Sequence, residues 1–178
     1  MEFLTKPECV ELARKVGLDS VELLKRRGSA ASLKRTATLT YKSRMKNADV
    51  VSSLLAQRLG DFDWSVLWPY EFPWGDRSRE ETPPTDWREY AQWRQTKGEG
   101  RSLYDAPGHK FERGEHPNTA KAIEFAIYAG WDAVVFGSPL QSLFRLSHDD
   151  YIELHARSRE ELSATAMGLV QLGLALSQ

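Results

Sequence analysis

The sequence predicts an α+β protein with a small, largely antiparallel sheet, covered by helices and preceded by a helical N-terminal part. Three observations lead to this fold class. An apolar run at 131–136 lies between glycines and has the composition of a buried strand. Residues 143–157 alternate around a turn, which predicts a β-hairpin, and 64–70 has the composition of a further strand. Apolar residues recur with helical spacing at 118–129 and 159–176, so we expect two helices to cover one face of the sheet. Ser158 and Glu161 form a capping-box pattern that predicts the start of the second helix.

The hairpin has a register that the sequence itself specifies. If Phe144 and Leu146 share a face with the apolar residues of the second strand, then 148–150 form a three-residue loop. This register places Arg145 opposite Glu153, a charge pair that stabilises a hairpin by about 0.2 to 1 kcal/mol.

The N-terminal part reads as a series of short capped helices. Thr5 and Glu8 form a capping-box pattern that predicts a first helix, and a similar pattern predicts a second at 20–27. Residues 29–47 carry both helical and strand-like signals, and the sequence leaves that stretch open. Apolar residues at 50–59 predict one more helix.

The composition changes after Gly60, where we place a boundary between two predicted parts. Residues 1–60 form the helical basic part, and residues 61–178 form an α+β domain that begins with an aromatic, acidic segment. Residues 1–50 carry 11 Lys and Arg against 6 Asp and Glu, although the whole chain has a net charge of −1. A basic N-terminal surface could therefore contact an acidic partner.

Composition and length exclude several classes of protein. The chain of 178 residues is 41% hydrophobic and 28% charged, and it has no apolar run near the roughly 20 residues of a membrane span. We therefore expect a soluble protein without a membrane partner. A secretory signal pattern is absent from the N-terminus, which predicts a cytoplasmic location. The single cysteine, Cys9, excludes an internal disulfide. No phosphate-loop or dinucleotide fingerprint occurs, so no cofactor is predicted.

Aromatic residues crowd into one segment and suggest the leading function. Five of the six tryptophans lie within 64–93, interleaved with other rings and close to acidic residues. Trp and Tyr concentrate binding energy at interfaces, so we expect a non-enzymatic protein that binds another protein, of basic character, through an acidic aromatic surface. The predicted binding residues are Trp64, Trp68, Tyr70, Trp74, Trp87, Tyr90, Trp93, Arg101 and Tyr104. The predicted acidic rim consists of Asp61, Asp63, Glu71 and Asp76.

A long loop and the histidines suggest an alternative, a hydrolase. Residues 98–117 are rich in Gly and charge, and a loop of that length is typical of a functional or mobile segment. Imidazole and carboxylate groups together can act as general acid and base, with or without a divalent metal. The predicted catalytic residues are Asp105, His109, His148 and Asp149. Their spacing matches no zinc motif, so no metal ligands are predicted.

A third hypothesis is nucleic-acid binding through the basic N-terminal helices. Two short capped helices followed by basic residues are reminiscent of a helix-turn-helix, although the second helix carries Val and Leu where base-reading side chains are needed. The basic residues in question are Lys25, Arg26, Arg27, Lys34 and Arg35.

Overall fold

A computed structural model describes residues 1–19, 33–41, 45–72 and 85–177. These residues form one eight-stranded sheet and five helices. The strands are β1 (Glu2–Leu4), β2 (Arg35–Thr40), β3 (Trp64–Glu71), β4 (Gly108–Glu112), β5 (Asp132–Ser138), β6 (Ser142–Ser147), β7 (Tyr151–Ala156) and β8 (Ala175–Leu176). The helices are α1 (Lys6–Lys15), α2 (Ala48–Arg58), α3 (Thr85–Thr96), α4 (His116–Ala129) and α5 (Arg159–Gln171).

The sheet is much larger than the small sheet that the sequence predicts, and that prediction is wrong. Its strands lie in the order β1-β4-β3-β5-β6-β7-β2-β8, and each neighbouring pair is antiparallel. The N-terminal part is likewise not purely helical, because it supplies β1 and β2 to this sheet. The boundary after Gly60 stays a prediction.

Short strands account for most of the difference. β1 has three residues and β8 has two, too few to show an alternating pattern in the sequence. β4 lies inside the segment that we predicted as a loop, and its backbone is paired on both sides because Phe3 and Leu67 flank His109. Distant neighbours therefore stabilise strands that local sequence does not specify.

Two predictions about the N-terminal part have different outcomes. The strand signal in 29–47 corresponds to β2, whereas 29–32 and 42–44 lie outside the described residues. The helix predicted at 20–27 also lies outside them.

The helix starts predicted at Thr5 and Ser158 and the hairpin register are confirmed. The Thr5 backbone N–H donates to Glu8 Oε2 at 2.7 Å, and a second capping box joins Ser158 and Glu161 at the start of α5. The β6–β7 hairpin has the expected three-residue loop, and Arg145 lies opposite Glu153 with Nε and Oε2 3.5 Å apart.

Both faces of the sheet are buried, and each has its own apolar core. The first core packs Leu67, Val135 and Phe144 against helices α2 to α5. The second packs Val66, Trp68 and neighbouring residues against α1. Because successive side chains of a strand point to opposite faces, the central strands β3, β5 and β6 contribute to both cores. None of the described helices is long and apolar enough to cross a membrane.

Candidate functional site at one end of the sheet

Polar and aromatic side chains meet at the end of the sheet where β3 finishes and β5 begins. Antiparallel pairing sets Glu71 beside Asp132, and the β6–β7 turn lies at this same end. The loop before β4 closes the other side of β3. We call this region the sheet end and define it by residues 69–72, 104–107, 132 and 147–151. It draws on β3, on the loop before β4, and on the three consecutive strands β5, β6 and β7.

A cleft of about 310 Å³ opens on the β4 side of the sheet end. Its lining residues are Lys6, Trp68, Pro69, Tyr70, Glu71, Phe72, Tyr104 and Pro107. Aromatic and proline rings make up most of this lining, and Glu71 and Lys6 contribute one charge of each sign. Such a mixture of apolar walls and a few polar groups is typical of ligand sites.

The rings of the cleft differ in how firmly the fold holds them. Trp68 is fully buried in the second core, and Phe72 packs edge-on against Trp131 at a centroid distance of 6.1 Å. Phe72 also contacts the ring of Tyr104 at 5.3 Å. Tyr104 nevertheless remains 57% exposed. The cleft thus combines the buried ring of Trp68 with the partly exposed Tyr70 and Phe72 and the largely exposed Tyr104.

Tyr70 joins the cleft to the carboxylates on the β5 side. Burial raises the pKa of its phenol to about 12, and the negative charge of Asp132 adds to this effect. Arg145 opposes the shift, whereas Tyr151 and Glu71 raise the pKa further. The phenol is therefore neutral at pH 7 and sits in a field in which negative charge prevails.

His148 is held firmly in the β6–β7 turn. Its Nδ1 lies 2.7 Å from Asp132 Oδ2, and its backbone N–H donates to the other oxygen of the same carboxylate at 3.1 Å. Its Nε2 lies 3.4 Å from Asp149 Oδ1. Asp132 is almost buried, while His148 is partly exposed. A buried carboxylate that orients a partly exposed imidazole is an arrangement also found in acid and base catalysis.

The turn is fixed by two further features. Asp150 adopts a left-handed φ of 61°, a conformation that Asp tolerates better than most residues. The Tyr41 hydroxyl donates to the Ser147 carbonyl oxygen at 3.3 Å. Burial raises the pKa of Tyr41, and the charges of Asp150 and Asp132 raise it further. The pKa values of Tyr41 and Tyr70 are thus both raised first by burial and then by nearby carboxylates.

His109, a predicted catalytic residue, lies in the first core instead. It is completely buried, and its Nε2 is 3.0 Å from the Tyr90 hydroxyl. Arg94 donates to that hydroxyl at 2.7 Å, which leaves the Tyr90 O–H free to donate to His109. Burial, followed by the charge of Arg94, lowers the pKa of His109 to about 3. The ring is therefore neutral at pH 7.

The four predicted catalytic residues do not come together. His148 and Asp149 are neighbours, but three strand spacings, about 14 Å, separate β6 from the β4 strand of His109. Asp105 accepts a hydrogen bond from Ser102 Oγ at 2.6 Å and closes a local turn. A shared role for these four residues in hydrolysis stays a prediction, with no common site in this geometry.

Most predicted binding rings lie in the two cores. Trp68, Trp87 and Tyr90 are buried, and Trp64 and Trp93 are partly buried against core residues. Only part of the predicted aromatic surface therefore faces solvent.

The remaining predicted residues have structural partners or lie outside the described part. Arg101 forms an ion pair with Glu99 and donates to the Phe3 carbonyl oxygen at 2.9 Å. Of the predicted rim, Asp63 pairs with Arg113. Outside the described residues lie Trp74, Asp76, Lys25, Arg26 and Arg27.

Sequence reasoning missed two residues that shape the sheet end. Asp132 occupies the first position of a buried strand, where a carboxylate is unusual, and that position was the available signal. Lys6 was part of a capping pattern only, and no local signal connects it to residue 104, because the fold alone brings α1 against the loop before β4.

Within the described ranges, no cluster of three or more His, Cys, Asp or Glu side chains could hold a metal ion. No family model, curated protein or solved structure matches this chain. The geometry of the sheet end is therefore the basis for any functional proposal.

Proposed function

We propose that the protein binds a segment of another protein at the sheet end, with the cleft beside Tyr104 as the centre of the contact. The observation that carries this proposal is the cleft itself, which presents the rings of Tyr70, Phe72 and Tyr104 beside a buried Trp68. Rings held by a rigid framework lose little entropy on binding, which is why Tyr and Trp are common at the centre of interfaces.

The charge around the cleft supports a basic partner. Glu71 and Lys6 line the cleft with one charge of each sign, and Asp132, paired with Glu71, adds a negative charge that acts on Tyr70. Complementary charge increases the rate of association and suppresses binding of wrong partners. This proposal keeps the acidic aromatic surface that the sequence suggested and moves its centre from 61–93 as a whole to the sheet end.

An array of short synthetic peptides of varied charge, probed with the full chain, tests the proposal. We expect basic peptides to be retained, and Tyr104→Ala to weaken their binding about tenfold or more. Tyr128→Ala is the matched control, because Tyr128 is also exposed but lies on α4. Equal retention by the Tyr104→Ala and wild-type proteins would rule out this site.

A hydrolase is the second candidate, favoured by the contact of His148 with Asp132. In such an enzyme the imidazole would accept a proton from water during attack on an ester or phosphoester. Chromogenic esters and phosphoesters test this candidate. Turnover that is lost in both His148→Ala and Asp132→Asn would support it, and turnover that is absent from the wild type, or unchanged in both variants, would reject it.

A further inference from the structure

The cleft has the chemistry of a receptor for a single positively charged side chain. Its volume of about 310 Å³ is at the lower limit of ordinary ligand sites, which suits one side chain better than a folded element. The faces of the aromatic rings carry partial negative charge and attract cations. Glu71 supplies a formal negative charge in the same lining.

An independent observation indicates that the field here favours a cation. Tyr70 lines the cleft, and its pKa is raised first by burial and then by the charge of Asp132. Glu71 acts in the same direction, and the opposing effect of Arg145 does not cancel the shift. Burial disfavours a charge of either sign, so only the part of the shift that Asp132 and Glu71 cause favours a positive group at the same place.

Among the described residues that line the cleft, Lys6 alone carries a charge that acts against this assignment. Lys6 and Glu71 are both exposed, so water and salt screen both charges, and the buried Asp132 beside Glu71 adds to the negative charge. Because Lys6 and Glu71 carry opposite charges in the same lining, the two residues provide opposite tests of the assignment. Removal of Lys6 and removal of Glu71 must change the affinity for a charged ligand in opposite directions.

We propose that the cleft receives an arginine side chain of the partner, in contact with the rings of Tyr70 and Tyr104 and within reach of Glu71. This inference rests on the proposed function and adds the chemistry of the residue that is recognised. Arginine is preferred to lysine because its planar guanidinium stacks on aromatic rings and is more weakly hydrated.

The test uses the full chain and three blocked tripeptides, Gly-Arg-Gly, Gly-Lys-Gly and Gly-citrulline-Gly, titrated by NMR. Citrulline has nearly the shape of arginine without its charge. We expect the arginine peptide to bind about 2- to 30-fold more tightly than the citrulline peptide. The affinity of the lysine peptide should fall between those of the other two. The largest chemical-shift changes should occur at the backbone amides of Glu71 and Phe72.

Two charge variants and a control sharpen the test. Glu71→Gln should weaken binding of the arginine peptide, and Lys6→Ala should strengthen it, each by up to about five-fold. Glu160→Gln, an exposed carboxylate on α5, should leave the affinity unchanged.

The results separate the inference from the proposed function. Equal affinity for the citrulline and arginine peptides, or absence of binding by all three, would overturn the inference. So would tighter binding of the arginine peptide by Glu71→Gln together with weaker binding by Lys6→Ala. If basic peptides on the array still required Tyr104, the binding function would stand without it. If the Tyr104→Ala protein retained those peptides equally well, the proposed function would fail too.

Discussion

Two groups of aromatic rings come from neighbouring stretches of this sequence and have different surroundings. Trp87, Tyr90 and Trp131 contact one another in the first core, with ring centroids 4.9 to 6.0 Å apart. Tyr70, Phe72 and Tyr104 line the cleft at the sheet end, and Tyr104 is largely exposed. The rings of the first group are buried and stabilise the fold, whereas those of the second line a cleft that is open to solvent.

The comparison shows why aromatic density alone does not locate a binding surface. Trp87 and Tyr90 on α3 are buried, whereas Tyr104, which precedes β4, is 57% exposed. Position relative to the ends of strands, and not residue type, decides which rings can meet a ligand.

The largest expected effect separates the two groups by stability. Trp87→Ala removes a buried indole that packs against Trp131, and we expect it to lower the free energy of unfolding by about 3 to 5 kcal/mol. Tyr104→Ala should change that free energy by no more than about 0.5 kcal/mol, because the ring is mostly exposed. Urea denaturation of both variants measures the difference. Similar losses in the two variants would show that the division into core and cleft rings is wrong.

Arg94 connects the two groups of rings through hydrogen bonds. Its buried guanidinium donates to the Tyr90 hydroxyl in the core and to the carbonyl oxygens of Arg101 and Ala106, on either side of Tyr104. Arg94→Met leaves these acceptors without their donor, and we expect a loss of about 2 to 4 kcal/mol in unfolding free energy.

Loss of Arg94 should also loosen the loop that carries Tyr104, so peptide binding at the cleft should weaken. Arg88→Met is the matched control, since Arg88 is exposed on the same helix. Normal peptide affinity in a destabilised Arg94→Met protein would mean that the loop is held independently of the core.

A pH experiment contrasts the two predicted catalytic histidines. The pKa of His109 is about 3 in the folded protein and near its ordinary value of about 6.5 in the unfolded chain. The unfolded chain therefore binds the extra proton between these values, and the contribution of His109 to stability is present above about pH 6.5 and lost as the pH falls toward 3. The maximum slope from this group is about 1.4 kcal/mol per pH unit.

His109→Gln should remove that slope, and His148→Gln should retain it. Unfolding free energies measured between about pH 4 and 7 give the comparison. Other groups also make the fold less stable in acid. Burial opposes ionisation of three carboxyls, but their partners lower the pKa values overall, so their protonation at low pH costs stability: Glu99, Glu115 and Glu153. The decisive quantity is therefore the difference in unfolding free energy between the variant and the wild type. Parallel curves for the wild-type and His109→Gln proteins would contradict a buried neutral His109.

The sequence was sufficient for elements that depend on nearby residues. The capping boxes at Thr5 and Ser158 and the β6–β7 register follow from local hydrogen bonds and from alternation of side chains. It was not sufficient for β1, β4 and β8, whose pairing partners lie far away in the chain. The size of the sheet could not be predicted for the same reason.

The sheet end was hidden from the sequence by the same long-range pairing. Tyr70 and Tyr104 were among the predicted binding residues, but their position near Lys6 and Asp132 depends on strand order. The sequence grouped Asp105 with His109 in one loop. In the structure Asp105 closes a local turn, whereas His109 is buried in the first core. The fold therefore separates Asp105 from His109, which are close in sequence, and brings Lys6 near Tyr104, which is distant in sequence.

The smallest expected effect concerns the link between the turn and the cleft. Asp132→Asn keeps the shape of the side chain but removes the charge that holds His148, and we expect a loss of about 1 kcal/mol in unfolding free energy.

The same change should lower the pKa of Tyr70 from about 12 toward its ordinary value, because Asp132 is the largest charged contributor to that shift. NMR of ring-labelled tyrosine as a function of pH measures it directly. Asp149→Asn is the comparison, since Asp149 is exposed and is not among the contributors at Tyr70. An unchanged Tyr70 pKa in Asp132→Asn would mean that the turn and the cleft are electrostatically separate, and that the negative field at the cleft has another source.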